Sequence, residues 1–147
     1  MSEPTIASIE LRVLDPRRSV RWTERANQCH VNTTVIQITD SEGATGVAGV
    51  EGFAYASGDR TTLEAVRGMW PLLHGRGIDC GVELVNEVRT GVVFPYVTNG
   101  LSLVDMALWD LRAQHAGVPL WRLLGGHRDR IPAYASLESM PHIEDYV

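Results

Sequence analysis

The sequence predicts an α+β domain in which a three-stranded antiparallel meander precedes a bundle of three to four helices. Residues 6–54 are rich in β-branched types and carry period-two alternation, whereas from residue 61 apolar residues recur at helical spacing. Strands grouped first and helices grouped second imply α+β rather than alternating α/β architecture. A third observation stands apart. After the helices a single strand-like run, 131–136, has no evident partner.

The first strand is predicted over 6–14, with Ile9, Leu11 and Val13 on one side and Glu10 and Arg12 on the other. Residues 30–39 read as a second strand because β-branched side chains dominate them. Asp40, Ser41, Glu42 and Gly43 are turn chemistry, Gly43 supplying a positive φ. The chain returns over 44–54, where Gly46, Gly49 and Gly52 point to bulges or a close backbone approach. A capping box at Thr61–Glu64 would open the first helix, with Leu63, Val66, Trp70 and Leu73 on its apolar stripe. Pro71 must kink or end it. Asp79 is placed as N-cap of a second helix with Val82, Val85 and Val88 on one stripe and Gly91 at its stop. A loop with Pro95 and Asn99–Gly100 leads to a third helix over 101–116, its core stripe Leu101, Val104, Leu108 and Leu111. Gly117 and Pro119 end it, and residues 120–124 add a short turn of helix stopped by Gly125 and Gly126.

The bulk composition narrows the function classes. A formal net charge of −5 over 147 residues argues against a nucleic-acid partner. No apolar stretch approaches the roughly 20 residues that span a bilayer, and Met1–Ser8 has no signal-peptide pattern, so a cytoplasmic protein without membrane contact is expected. Cys29 and Cys80 lack metal spacing and read as reduced thiols. All 13 basic residues are arginine. Chemistry that needs a deprotonated lysine therefore has no residue to use within these 147 positions.

The stretch 107–126 crowds charges, two tryptophans and two adjacent glycines, and invites reading as a catalytic constellation. Helical geometry speaks against it. Asp105 and Asp110 point about 140° apart on a helix and cannot share a ligand; partners such as Trp109 and Arg112, one and two turns on from Asp105, give them structural roles. The five histidines (His30, His74, His115, His127, His142) form no metal-triad spacing. His115, near a helix C-terminus, suits a dipole-stabilising role. No catalytic and no metal-ligating residue is assigned.

The run Ser102, Val104, Asp105, Ala107, Leu108, Asp110, Leu111, Ala113, Gln114, Pro119, Leu120, Leu123, Leu124 and Gly125 resembles the N-terminal signature of the mandelate racemase/muconate lactonizing enzyme group of the enolase superfamily. Gly100 and Leu103 depart from it in size only. Residues 42–46 resemble the second hairpin of that group's capping domain, while 47–52 depart from its usual Gly-Glu ending. The resemblance implies an enolase N-terminal domain-like cap over 1–126, then the start of a truncated (β/α) barrel over 127–147 whose first strand is 131–136. It also implies Mg²⁺ in the full-length family member, held by three barrel carboxylates, and lysine or histidine bases that take a proton α to a carboxylate. A barrel takes roughly 200 residues or more, so this chain alone is expected to bind no cofactor and to be inactive.

Within that resemblance two segments sit where the family's specificity loops lie. Residues 15–25 carry Arg17, Arg18, Arg21 and Arg25 around Trp22, a composition suited to bidentate recognition of an acidic substrate or, alternatively, to a solvated connection. Residues 52–59 carry Phe53 and Tyr55, which would face a substrate or staple strand to helix. The reading is a capping, substrate-selecting domain of a Mg²⁺-dependent racemase, cycloisomerase or acid-sugar dehydratase, homo-oligomeric, with a small carboxylate as substrate. The rival is a stand-alone binding or self-assembly module without catalysis. An unrelated small α+β enzyme lacks a nucleophile–base pair or metal cluster to support it.

Overall fold

The computed structural model describes residues 3–14, 19–20, 29–53, 58–90 and 98–134. The described strands are β1 (Ile6–Leu14), β2 (Ser19–Val20), β3 (Cys29–Asp40) and β4 (Thr45–Phe53). The described helices are α1 (Gly58–Leu73), α2 (Gly81–Thr90), α3 (Thr98–His115) and α4 (Leu120–Leu123). The three predicted strands and the helical half are present, and β3 is the central strand of the meander. It pairs antiparallel with β1 from Leu14↔Thr33 to Ile6↔Asp40 and with β4 from Val31↔Phe53 to Thr39↔Thr45. The two-residue β2, which no sequence pattern marks, adds to β3 at Cys29 and His30.

One sheet face is covered by helices. Ile36 and Ile38 on β3, with Ile6 on β1, are fully buried against Val66, Met69 and Leu73 of α1, Leu84 of α2 and Leu103, Val104, Ala107, Leu108 and Leu111 of α3. A register shift between Ile6 and Ser8 lets both Ile6 and Ile9 face the helices despite their odd spacing. The β3–β4 hairpin turns as predicted. Gly43 has φ +88°, and Asp40 Oδ1 accepts from the Glu42 and Ala44 amides, both at 2.9 Å.

Several helix signals resolve differently. α1 starts at Gly58, so Thr61 and Glu64 lie inside it and do not cap it. Pro71 neither starts nor stops α1, which runs two residues further before Gly75 (φ +77°). Asp79 is not the cap of α2, because Leu84 N–H already donates to the Cys80 carbonyl at 2.8 Å. The core side of α2 carries Gly81, Leu84 and Val88, and Val82 is exposed. Burial also extends beyond the predicted α3 stripe to Leu103 and Ala107, since α3 packs against β3 and β4 on one side and α1 and α2 on the other. The predicted strand at 131–136 is not formed over Ile131–Tyr134, which is unpaired among the described residues and exposed, and residues 135–136 lie outside the described residues. A strand is defined by a ladder, and no neighbour supplies one.

Candidate functional site

The sheet register brings the strand ends that flank the predicted lid segments to one end. Leu14 stands opposite Thr33, Val20 opposite Cys29, and Phe53 opposite Val31. These strand ends therefore all lie at the β3 N-terminal end. Arg17, Arg18, Arg21, Trp22, Arg25 and Tyr55 lie outside the described residues. Phe53 ends β4, and its backbone position alone is described. The start of α1 and α3 meet near this end, where a Cβ on Gly100 would lie 2.7 Å from Ala65 Cβ and 3.3 Å from the Thr62 carbonyl.

The charged residues of 107–126 collect at the other end of α3 and are engaged in the fold. His115 Nε2 donates to Asp40 Oδ2 in a short contact, with the Asp40 carboxylate fully buried. Burial by itself pushes that carboxyl up, but the hydrogen bonds from His115 and from the Glu42 and Ala44 amides outweigh it and hold it below the usual range. Asp110 Oδ2 accepts from the Val47 amide at 2.9 Å and from Gln114 Nε2 at 3.2 Å, which ties α3 to β4. Arg112 reaches Asp79 Oδ1 at 2.6 Å and lies 4.1 Å above the Trp109 ring. Asp105 is half-buried, so desolvation raises its carboxyl and Arg112 offsets part of that rise. The predicted separation of Asp105 and Asp110 holds, and their partners are structural. Sequence reasoning missed the Asp40–His115 and Asp79–Arg112 pairs, each closed by tertiary packing across long stretches of chain.

The remaining reactive groups are muted. Cys80 is buried, which pushes its thiol up and keeps it a poor nucleophile. Arg76 bridges Glu83 and Glu87 of α2 at 3.0 and 2.9 Å, a mostly exposed network worth little to stability. Among the described residues no three His, Cys, Asp or Glu side chains come together to hold a metal ion. The placed carboxylates do not fit Mg²⁺: Asp40, Asp79 and Asp110 are committed to His115, Arg112 and backbone amides. No helix among the described residues is long and apolar enough to cross a membrane.

The family model for the mandelate racemase / muconate lactonizing enzyme N-terminal domain matches residues 8–125. A D-galactonate dehydratase family member from Musicola paradisiaca is 47% identical over 51 residues, 34% of this chain and 12% of that protein. A protein from Pseudovibrio assigned to the mandelate racemase/muconate lactonizing enzyme group superposes with TM-score 0.85 at 25% identity, covering 99% of this chain and 39% of that one. An enolase from Bradyrhizobium complexed with magnesium and mandelic acid superposes with TM-score 0.74 at 26% identity, covering 91% and 38%. The chain thus spans well under half the length of the proteins it matches.

Proposed function

Because the chain belongs to the mandelate racemase / muconate lactonizing enzyme family through its N-terminal domain, we propose that it is the capping, substrate-selecting part of a Mg²⁺-dependent enzyme acting at the carbon α to a carboxylate. Residues 1–126 form the cap and 127–147 begin the barrel. The observation that supports this reading is that the strand ends Leu14, Val20, Cys29 and Phe53 lie together at one end of the sheet. A shared sheet end of this kind would present both candidate lid segments together, as a cap that closes over a substrate must. Arginines 17, 18, 21 and 25 supply bidentate donors for an acidic ligand, and Trp22, Phe53 and Tyr55 supply apolar walls. The magnesium, when bound in the barrel, would stabilise the charge left on the carboxylate after proton removal; the cap's own residues bind, orient and exclude water.

An acid sugar is the substrate class favoured here, because the similar dehydratase is named for an acid sugar and the arginine-rich segment suits its carboxylate. The test is a domain exchange. Residues 1–126 are joined to the barrel of the Bradyrhizobium relative, and kcat/KM is compared for galactonate and mandelate. We expect the preference to move toward the acid sugar by about tenfold or more, and Arg17→Ala together with Arg18→Ala to raise KM. A preference that stays with the barrel in an active chimera overturns the selecting role. Calorimetric titration of the 147-residue chain with Mg²⁺ should show no saturable heat, and specific tight binding would overturn the assignment of the metal to the barrel.

A further inference from the structure

β1 is an edge strand. It pairs with β3 on one side, and among the described strands none pairs with the other. Only its start is tied down beyond the sheet, where Ile6 N–H donates to the Arg76 carbonyl and Ile6 O accepts from Gly75 N–H at 2.8 and 2.9 Å. From Ser8 to Leu14 the outer backbone groups lie open among the described residues. An edge this long is a ready template for another strand. On the helix side, Ile9 and Leu11 are only half-buried and Val13 is exposed. Ile9 and Leu11 line a mostly apolar groove of about 500 Å³ between β1 and α1, walled by Leu63, Val66 and Trp70. On the opposite side Glu10 and Arg12 are exposed and pair with each other at 2.8 Å.

We propose that this edge is the docking surface for a second copy of the chain, the two β1 strands pairing antiparallel about a two-fold axis at Leu11. The charges select the occupant and the register. A two-fold axis normal to the sheet keeps like faces together, so each residue meets one of the same parity. Centred on Leu11, Glu10 of each copy faces Arg12 of the other, twice over. On the groove side Ile9 meets Val13, and Leu11 meets Leu11. Centring on Glu10 instead sets glutamate against glutamate, and centring on Arg12 sets arginine against arginine; both like-charge arrangements are unfavourable. One register therefore places each charge opposite its complement and sets the apolar side chains of the two β1 strands against one another on the helix side. The sheet becomes continuous through both copies, and each β1 gains a second neighbour that no described strand supplies.

Sedimentation equilibrium of the 147-residue chain over about 1–200 µM tests this, a range set by the micromolar affinity of small interfaces. A concentration-dependent dimer is expected. Glu10→Arg should weaken it by about tenfold or more, since arginine then faces arginine at two places, and Glu10→Arg/Arg12→Glu should restore it. Both positions are exposed, and unchanged circular dichroism verifies that the variants fold. Amide exchange should slow across 8–14 as concentration rises. A monomer throughout the range, with the groove then left to some other strand, overturns the proposal. So does a dimer indifferent to Glu10→Arg, or one that the double swap fails to rescue.

Discussion

Asp40 shows how one side chain can carry a turn and a helix end together. Its Oδ1 closes the hairpin through the Glu42 and Ala44 amides, and its Oδ2 holds His115 at the last turn of α3. Burial of the carboxylate is tolerable because its charge is met by donors on both oxygens. The folded-state pKa lies below the unfolded value of about 3.9. The resulting stabilisation is therefore fully present above that value and is lost as pH falls through the folded one. In urea melts from pH 7 to pH 3, the wild type should lose stability most steeply below about pH 4. Asp40→Asn should start lower at pH 7, by about 1–3 kcal/mol, and show a shallower acid decline. Parallel pH profiles for the two proteins would mean that Asp40 is not the linked group. The turn itself is legible in Asp-Ser-Glu-Gly, because turn chemistry is local. The histidine partner is not, because it stands 75 positions away.

Packing of α3 on the sheet is decided by one glycine. A Cβ on Gly46 would sit 2.0 Å from the Ala107 carbonyl oxygen and 2.7 Å from the Leu111 nitrogen, so helix backbone approaches strand backbone directly. Gly49 has only ordinary contacts, the nearest at 3.7 Å. Gly46→Ala should therefore lower the denaturant midpoint by the equivalent of about 1–3 kcal/mol, while Gly49→Ala stays within about 0.5 kcal/mol. Equal effects at the two sites would show that α3 yields to the added methyl. The sequence marks 46, 49 and 52 alike as bulge or close approach. The unbroken β3–β4 register over 45–53 removes the bulges, and the crossing point of α3 chooses among the glycines. The same sandwiching explains why the predicted α3 stripe is too narrow. A helix packed on two sides buries Leu103 as well as Leu108, and a one-face periodicity cannot announce that. Helix starts mislead as well: Thr61–Glu64 and Asp79 have capping chemistry, yet α1 begins at Gly58 and α2 at Gly81, and Asp79 is used by Arg112.

Across the whole molecule, the switch from period two to helical spacing near residue 60 is enough to give the order of strands and helices. The pairing order around β3 follows from the tendency of strands that neighbour in sequence to pair, and only the β3–β4 link is a short turn. The candidate lid is legible only as composition, since an arginine-rich segment acquires a role from what it faces. The tail is the sharpest case. Residues 131–136 have strand composition, yet Ile131 and Tyr134 are 78% and 88% exposed and unladdered. Large apolar side chains held in water are unfavourable by about 25 cal/mol for each Å² left uncovered, so this segment has most to gain from a neighbouring strand. In the isolated chain, amides of 127–134 should exchange at nearly free-chain rates while those of Leu103–Leu111, packed at the centre of the core, are protected by orders of magnitude. Joined to a barrel, the same segment should become protected without a change in α3, because barrel strands supply the ladder that the meander cannot. Strong protection of 131–134 in the isolated monomer would mean that the segment finds its partner within these 147 residues, and the division at residue 126 would then be misplaced.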